Sequence, residues 1–266
     1  MSNRLVLEIC VESVDHAVAA ERGGAQRIEL CSDLPSGGIT PSAGLMQTAR
    51  RQVRIPIHVL IRPRPGDFCY SDSEYEIMRN DILAAKQFRM DGVVLGLLHP
   101  NTLVDVERTT ALVELARPLP VTFHRAFDDT ENLETALEEV IRTGATRILT
   151  SGGKPRASDA LPILARLIQA ASDRIILMPG GGINSENIVH IIRQTRAQEI
   201  HTSAGTSTPD LTGSGDVSAE DDATNPSLPF RWFEQKVAKL VNLLGSVEQN
   251  GILGGSEGNP KPILKY

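Results

Sequence analysis

The feature that most constrains this chain is an alternation repeated eight times: a short apolar run, a turn, then a helical run. The apolar runs predict strands at about Leu5 to Cys10, Arg27 to Cys31, Ile55 to Ile61, Gly92 to Leu98, Pro120 to His124, Arg147 to Ser151, Ile175 to Pro179 and Glu199 to Ala204. Helices are expected near 13–22, 42–52, 71–88, 104–116, 132–143, 157–171, 185–195 and 230–244. Ile55 to Ile61 is almost continuously apolar, the pattern of a parallel strand covered on both faces. Ser71 with Glu74 forms a capping-box signature, and Gly23-Gly24 and Gly144 stand where helices end. Eight β-then-α units in 266 residues predict an α/β chain folded as one (β/α)8 TIM-type barrel. An open doubly wound sheet is the alternative, but such sheets usually have fewer strands, and no G-x-G-x-x-G follows the first strand here.

Two stretches fall outside the pattern. Residues 206–227 are rich in Ser, Thr, Gly and Asp and include Glu220-Asp221-Asp222, which predicts a flexible acidic loop between the last strand and the last helix. Residues 248–266 predict a flexible tail, so the barrel is assigned to 1–247. A net charge of −6 argues against nucleic-acid or anionic-membrane partners, which select a basic surface. Three cysteines do not make a disulfide framework. The first twelve residues lack the pattern of a signal peptide, and no apolar run approaches the roughly 20 residues of a membrane span. The expectation is a soluble cytoplasmic protein with reduced thiols.

Side chains alternate along a strand. With Leu7, Ile9, Ile28, Leu30, Val59, Ile61, Val121 and Phe123 facing the helices, the barrel interior receives Glu8, Cys10, Glu29, Cys31, His58, Arg62, Thr122, His124, Glu199, His201 and Ser203. An ordinary barrel interior is Val, Ile and Leu. So many charges there imply either a functional site at the C-terminal mouth or a self-satisfying ion-pair network that plugs the barrel. Were the chain an enzyme, His124 or Glu8 would move protons, Arg62 and Arg64 would hold an acidic group, and Asp67 would order its loop. Whether it is an enzyme stays open at this level.

Cys10 and Cys31 end neighbouring strands in the same Glu-x-Cys pattern. Strands about 4.8 Å apart bring two such thiols within roughly 4–5 Å, a pair suited to a soft ion such as Cu(I) or Zn(II). The same spacing permits a disulfide, and cysteine also serves as a small buried apolar residue. Cys69, in the loop after the third strand, lies at the same end of the barrel. The run Pro179-Gly180-Gly181-Gly182, with Ser203 next to it, suggests an anion site of the kind barrels build after strands seven and eight. Arg64 and Arg125 are further candidates to hold a phosphate or carboxylate, with rim salt bridges as their structural alternative.

Taken together, Leu7-Glu8-Ile9-Cys10, Arg27-Ile28-Glu29-Leu30-Cys31, Arg62-Pro63-Arg64 with Gly66-Asp67-Phe68-Cys69, His124-Arg125-Ala126-Phe127-Asp128 and Met178-Pro179-Gly180-Gly181-Gly182 resemble the CutC copper-homeostasis family from Leu5 to about Ala204. The resemblance implies a cytosolic, homo-oligomeric barrel protein that binds copper as Cu(I) through Cys10 and Cys31. Cys69 occurs in part of the family only and is the weaker ligand candidate. The acidic stretch up to Ser227 replaces a segment that in the family carries Arg and Asn after an aromatic residue. The readings at this point are copper homeostasis through cysteine thiolates and, alternatively, a barrel enzyme acting on a small phosphate- or carboxylate-bearing substrate.

Overall fold

The computed structural model describes residues 5–205 and 230–249. It contains eight parallel strands: β1 (Val6–Val11), β2 (Arg27–Leu30), β3 (Ile57–Leu60), β4 (Gly92–Leu95), β5 (Val121–Phe123), β6 (Arg147–Thr150), β7 (Ile176–Pro179) and β8 (Glu199–Thr202). Among the described residues, eight helices surround them: α1 (Val14–Arg22), α2 (Ala43–Gln52), α3 (Asp72–Gln87), α4 (Val106–Ala116), α5 (Leu133–Arg142), α6 (Leu161–Ala171), α7 (Ile188–Thr195) and α8 (Arg231–Gln249). The ladder runs β7-β6-β5-β4-β3-β2-β1-β8. Thr202 Oγ1 donates to the Ile183 carbonyl at 2.6 Å across the remaining β7–β8 seam, giving a nearly closed single-domain barrel. The anticipated loop at 206–227 lies outside the described residues, as does the tail anticipated over 248–266 except for its first two residues, which belong to α8.

Helix starts follow their caps. Ser13, Ser42 and Asn132 accept backbone N–H groups of the first turn, and the Ser71–Glu74 capping box closes from both sides. Two starts differ from the periodic pattern. The run expected from Ala157 opens as a 3-10 turn (Ala157–Ala160) and becomes helical at Leu161, where Pro162 takes a position that needs no N–H partner. The helix expected from Ser185 begins at Ile188, because Asn187 Oδ1 accepts from Asn184 N–H and Asn184 Oδ1 from Glu186 N–H, holding a turn instead. The last helix continues past the expected Leu244 to Gln249.

Strand parity is obeyed. Leu7, Ile9, Ile28, Leu30, Val59 and Ile61 are fully buried in the shell between strands and helices. At roughly 1.5–3 kcal/mol for each large aliphatic side chain buried, that shell carries the stability. The barrel interior is thereby free to hold polar groups. Most strands end earlier than the apolar runs suggest, so Cys31, His124, Ser151 and Ser203 each stand just past the end of a strand, at the loop end of the barrel. Gly96 makes room for one of them: a Cβ there would lie 2.5 Å from His124 Nδ1. No described helix is long and apolar enough to cross a membrane.

Candidate metal centre and anion pocket

The inward charges sort into two layers. The lower one is closed by ion pairs. Register places Arg27 beside Glu8 on β1–β2, and His201 beside Glu8 on β1–β8. Arg27 Nε contacts Glu8 Oε2, and Arg27 Nη2 reaches Glu199 Oε2 at 2.5 Å. Arg147 holds the same Glu199 with Nε at 2.6 Å and Nη2 at 3.1 Å. Burial alone would raise Glu8, but Arg27, aided by His201 and His58, holds its carboxyl well below the usual range. Glu199, despite burial, is likewise lowered by Arg147 and Arg27. His58, next to Glu8, is driven by burial down to about 4 and is neutral. Glu8, a candidate base from its inward strand position, is therefore an ionised member of this network and does not line the open cavity above it.

The upper layer is a cavity of about 300 Å³ at the C-terminal mouth, lined by Cys10, Glu29, Arg62, Phe68, His124, Arg125, Gly181, Gly182, His201 and Ser203 among others. On its floor, Cys10 Sγ lies 3.4 Å from Cys31 Sγ. The ladder pairs Cys10 with Glu29, so the thiols meet diagonally, Cys31 standing past the end of β2. Both are buried among Leu60, Val94 and Leu34, and both are free thiols. Cys10 alone of the pair lines the cavity. Its hydrogen bond with Cys31, then burial and the Glu29 charge, raise its thiol well above the ordinary value.

Cys10, Glu29 and His201 offer ligand atoms all within 4.8 Å of one another. His201 Nδ1 is 2.7 Å from Glu8 Oε1, and its Nε2 is 3.8 Å from Glu29 Oε2. Burial opposes the charged ring, but Glu29 and the bond to Glu8 raise His201. Burial also raises Glu29. An imidazole that gives one ring proton to a carboxylate and aims the other nitrogen at a donor cluster has the arrangement of a metal-binding histidine. The sequence places Glu29 and His201 inside the barrel; their closeness to Cys10 is what the register adds.

The remaining candidates separate. Arg62 lines the cavity but spends Nη1 on the Gly38 carbonyl (3.0 Å) and Nη2 on that of Gly66 (2.7 Å), with its guanidinium over Phe68. Arg64 lies outside the lining, tied to Glu74 (2.6 Å), Asp67 (2.9 Å) and the Cys69 carbonyl (2.9 Å). Asp67 is exposed and also accepts from Cys69 N–H, so it orders that loop. Cys69 packs at the edge of the outer core and does not line the cavity. His124 Nδ1 accepts from Ala126 N–H, and burial, with Arg62 adding to it, lowers the ring to about 3. Arg125, Gly181, Gly182 and Ser203 all line the cavity, with Arg125 beside Gly181. Arg27 and Arg147 occupy inward strand positions too, but two arginines inside a barrel are legible as partners only when the carboxylates opposite them are known.

The CutC family matches residues 5–206. A human protein named copper homeostasis protein cutC homolog is 49% identical over 76% of this chain and 74% of its own length. A CutC family protein of Vibrio campbellii is 48% identical over 76% of this chain and 83% of that protein. The crystal structure of a Streptococcus agalactiae protein described as a copper homeostasis protein CutC superposes with a TM-score of 0.71 at 32% identity, covering 75% of this chain and 98% of the other. Phosphoribosylanthranilate isomerase of Thermotoga maritima, at 14% identity and TM-score 0.54 over 91% of this chain and 99% of that one, shares the fold. By sequence match and by architecture, this chain belongs to the CutC family.

Proposed function

We propose that this chain serves copper homeostasis in the cytoplasm by taking up Cu(I) on Cys10 and Cys31 at the floor of the barrel mouth. The observation that carries the reading is the 3.4 Å separation of the two sulfurs, one of which opens onto the cavity. Metal–thiolate bonds of about 2.3 Å reach both from a point between and above them. Softness makes two thiolates select Cu(I) over harder ions. His201 Nε2 and Glu29 stand close enough to Cys10 to supply a third donor. Cys69, outside the cavity lining, is left out of the ligand set. Because the Cys10 thiol holds its proton strongly, loading the ion releases that proton to solvent.

The test is an anaerobic Cu(I) titration against a chelator of known affinity, on wild type and on the Cys10→Ser, Cys31→Ser double variant. The expected loss exceeds the roughly tenfold to hundredfold cost of removing an outer-shell partner from a metal site. Unchanged affinity in a folded double variant rejects the dithiolate site.

A further inference from the structure

The cavity contains a second group of donors that neither the thiol pair nor the ion-pair layer uses. On the wall formed by the loops after β6 and β7, Gly181 and Gly182 adopt φ of +100° and +67°. Turns of this kind present successive N–H groups to one concavity and are recurrent anion cradles. The Gly181 carbonyl is occupied by Ala157 N–H at 3.0 Å, whereas the N–H groups of Gly181 and Gly182 meet no acceptor among the described residues. A Cβ on Gly181 would lie 3.2 Å from Ser151 Cβ and 3.7 Å from the Arg125 guanidinium carbon, so the arginine sits directly beside the glycine loop.

Arg125 is held there by construction. Its Nε donates to Asp128 at 2.8 Å and its Nη2 to Ser151 Oγ at 2.8 Å, while Nη1 has no partner among the described residues. Asp128 is fixed in turn by the Thr150 hydroxyl at 2.5 Å and by the N–H groups of Ser151 and Gly153 at 3.0 Å. A carboxylate clamped by donors from the end of β6 and the loop after it orients a cation carried by another unit of the barrel. Ser203 lines the same cavity. So does His124, whose Nδ1 accepts from Ala126, leaving the proton on a buried Nε2 that has no partner. Glu29 is the sole carboxylate among the lining residues, against Arg62, Arg125 and His201. In a chain of net charge −6, this is a local reversal of sign.

We propose that this cavity binds a small phosphate monoester, with the phosphate between Arg125 and the Gly181–Gly182 N–H groups and the organic body lying over Phe68, His124 and Cys10. A phosphate offers three oxygens and can use donors that converge from the guanidinium, the loop backbone and the Ser203 hydroxyl; a carboxylate, with two, leaves part of the set unmet. The volume of about 300 Å³ is at the small end of ligand sites, which sets the ligand at metabolite size. This function is separate from the copper reading and requires no metal ion.

The experiment measures thermal stability and calorimetric binding of the full chain with inorganic phosphate and with glycerol phosphate, using acetate at matched ionic strength as the control. The expected result is saturable stabilisation by both phosphates that follows RT ln(1 + [L]/Kd). Arg125→Ala weakens it about tenfold to a hundredfold, the range for losing a hydrogen bond to a charged group. Should Arg125→Ala melt non-cooperatively, Arg125→Gln, which keeps the aliphatic stem, takes its place. The phosphate titrations use metal-free protein and the Cu(I) titration uses phosphate-free protein, so failure of the copper reading and failure of this one are distinguishable. Absence of saturable stabilisation in wild type, equal stabilisation by acetate, or undiminished binding in the Arg125 variants overturns the proposal.

Discussion

The lower and upper halves of the barrel interior are built from the same kinds of residue and do opposite things. Below, Glu8 and Glu199 face Arg27 and Arg147, and nearly every charge meets its opposite. Above, Cys10, Glu29, Arg62, His124 and Arg125 border open space, and Arg62 Nε and His124 Nε2 are buried without a protein partner. Charge inside a barrel is therefore no sign of function by itself. The informative quantity is whether the charges are mutually satisfied. His201 joins the halves, with one nitrogen on Glu8 and the other facing Glu29.

The comparison breaks most severely at Glu199. Glu199→Ala leaves buried Arg147 without a carboxylate and Arg27 with Glu8 alone, and is expected to cost about 3–5 kcal/mol, read from urea unfolding. A loss below about 1 kcal/mol, the worth of an exposed pair, would show that the lower layer is not a closed network. Acid tests the neutral histidine of the upper layer. Burial lowers His124 to about 3, so below about 6.5 the unfolded chain binds a proton that the native ring refuses. Stability attributable to His124 thus falls as pH drops from 6.5 toward 3, by about 1.4 kcal/mol per pH unit. Glu8 and Glu199, both lowered, lose their contribution only as pH falls below the ordinary carboxylate range. His201 and Glu29, both raised, act in the opposite sense, losing stability as pH rises toward their native values. The difference between wild type and His124→Asn isolates the ring, because Asn keeps an acceptor for Ala126 N–H. Urea midpoints measured between pH 7 and pH 4 should give a flatter profile for His124→Asn; parallel profiles would mean that the ring charges freely in the native state. The smallest effect sharpens the boundary between layers. His201→Ala is expected to weaken Cu(I) about tenfold, the scale of losing one supporting group at a metal site. Undiminished affinity in the same chelator competition would confine the ion to the two sulfurs.

Much of the architecture was readable in advance because it rests on local rules. The eight apolar runs, the Ser71–Glu74 capping box and the alternation that turns Leu7 and Ile9 outward and Glu8 and Cys10 inward all appear in the structure. Where local reading faltered, a local competitor explains it: Pro162 resets the start of α6, and the Asn184–Asn187 turn delays α7. The site was legible only in part. Arg64 and Arg62 are both arginines after β3, yet one is tied to Glu74 at the rim and the other lines the cavity while bracing two loops. Asp128 gives no sign in sequence that it will position Arg125, since three of the donors that fix it come from another unit of the barrel.

The linear order of residues determined the number of strands, the side of the sheet each side chain takes, and the gathering of acids, bases and thiols at one barrel's core, because period and parity are properties of the chain itself. Only the tertiary structure decided which of them meet. The stagger between neighbouring strands sets Glu8 against Arg27, Cys10 against Glu29 and Cys31 one step beyond, and no local pattern encodes that stagger. It is fixed by closing eight twisted strands on themselves, a global constraint that leaves one layer neutralised and the other open.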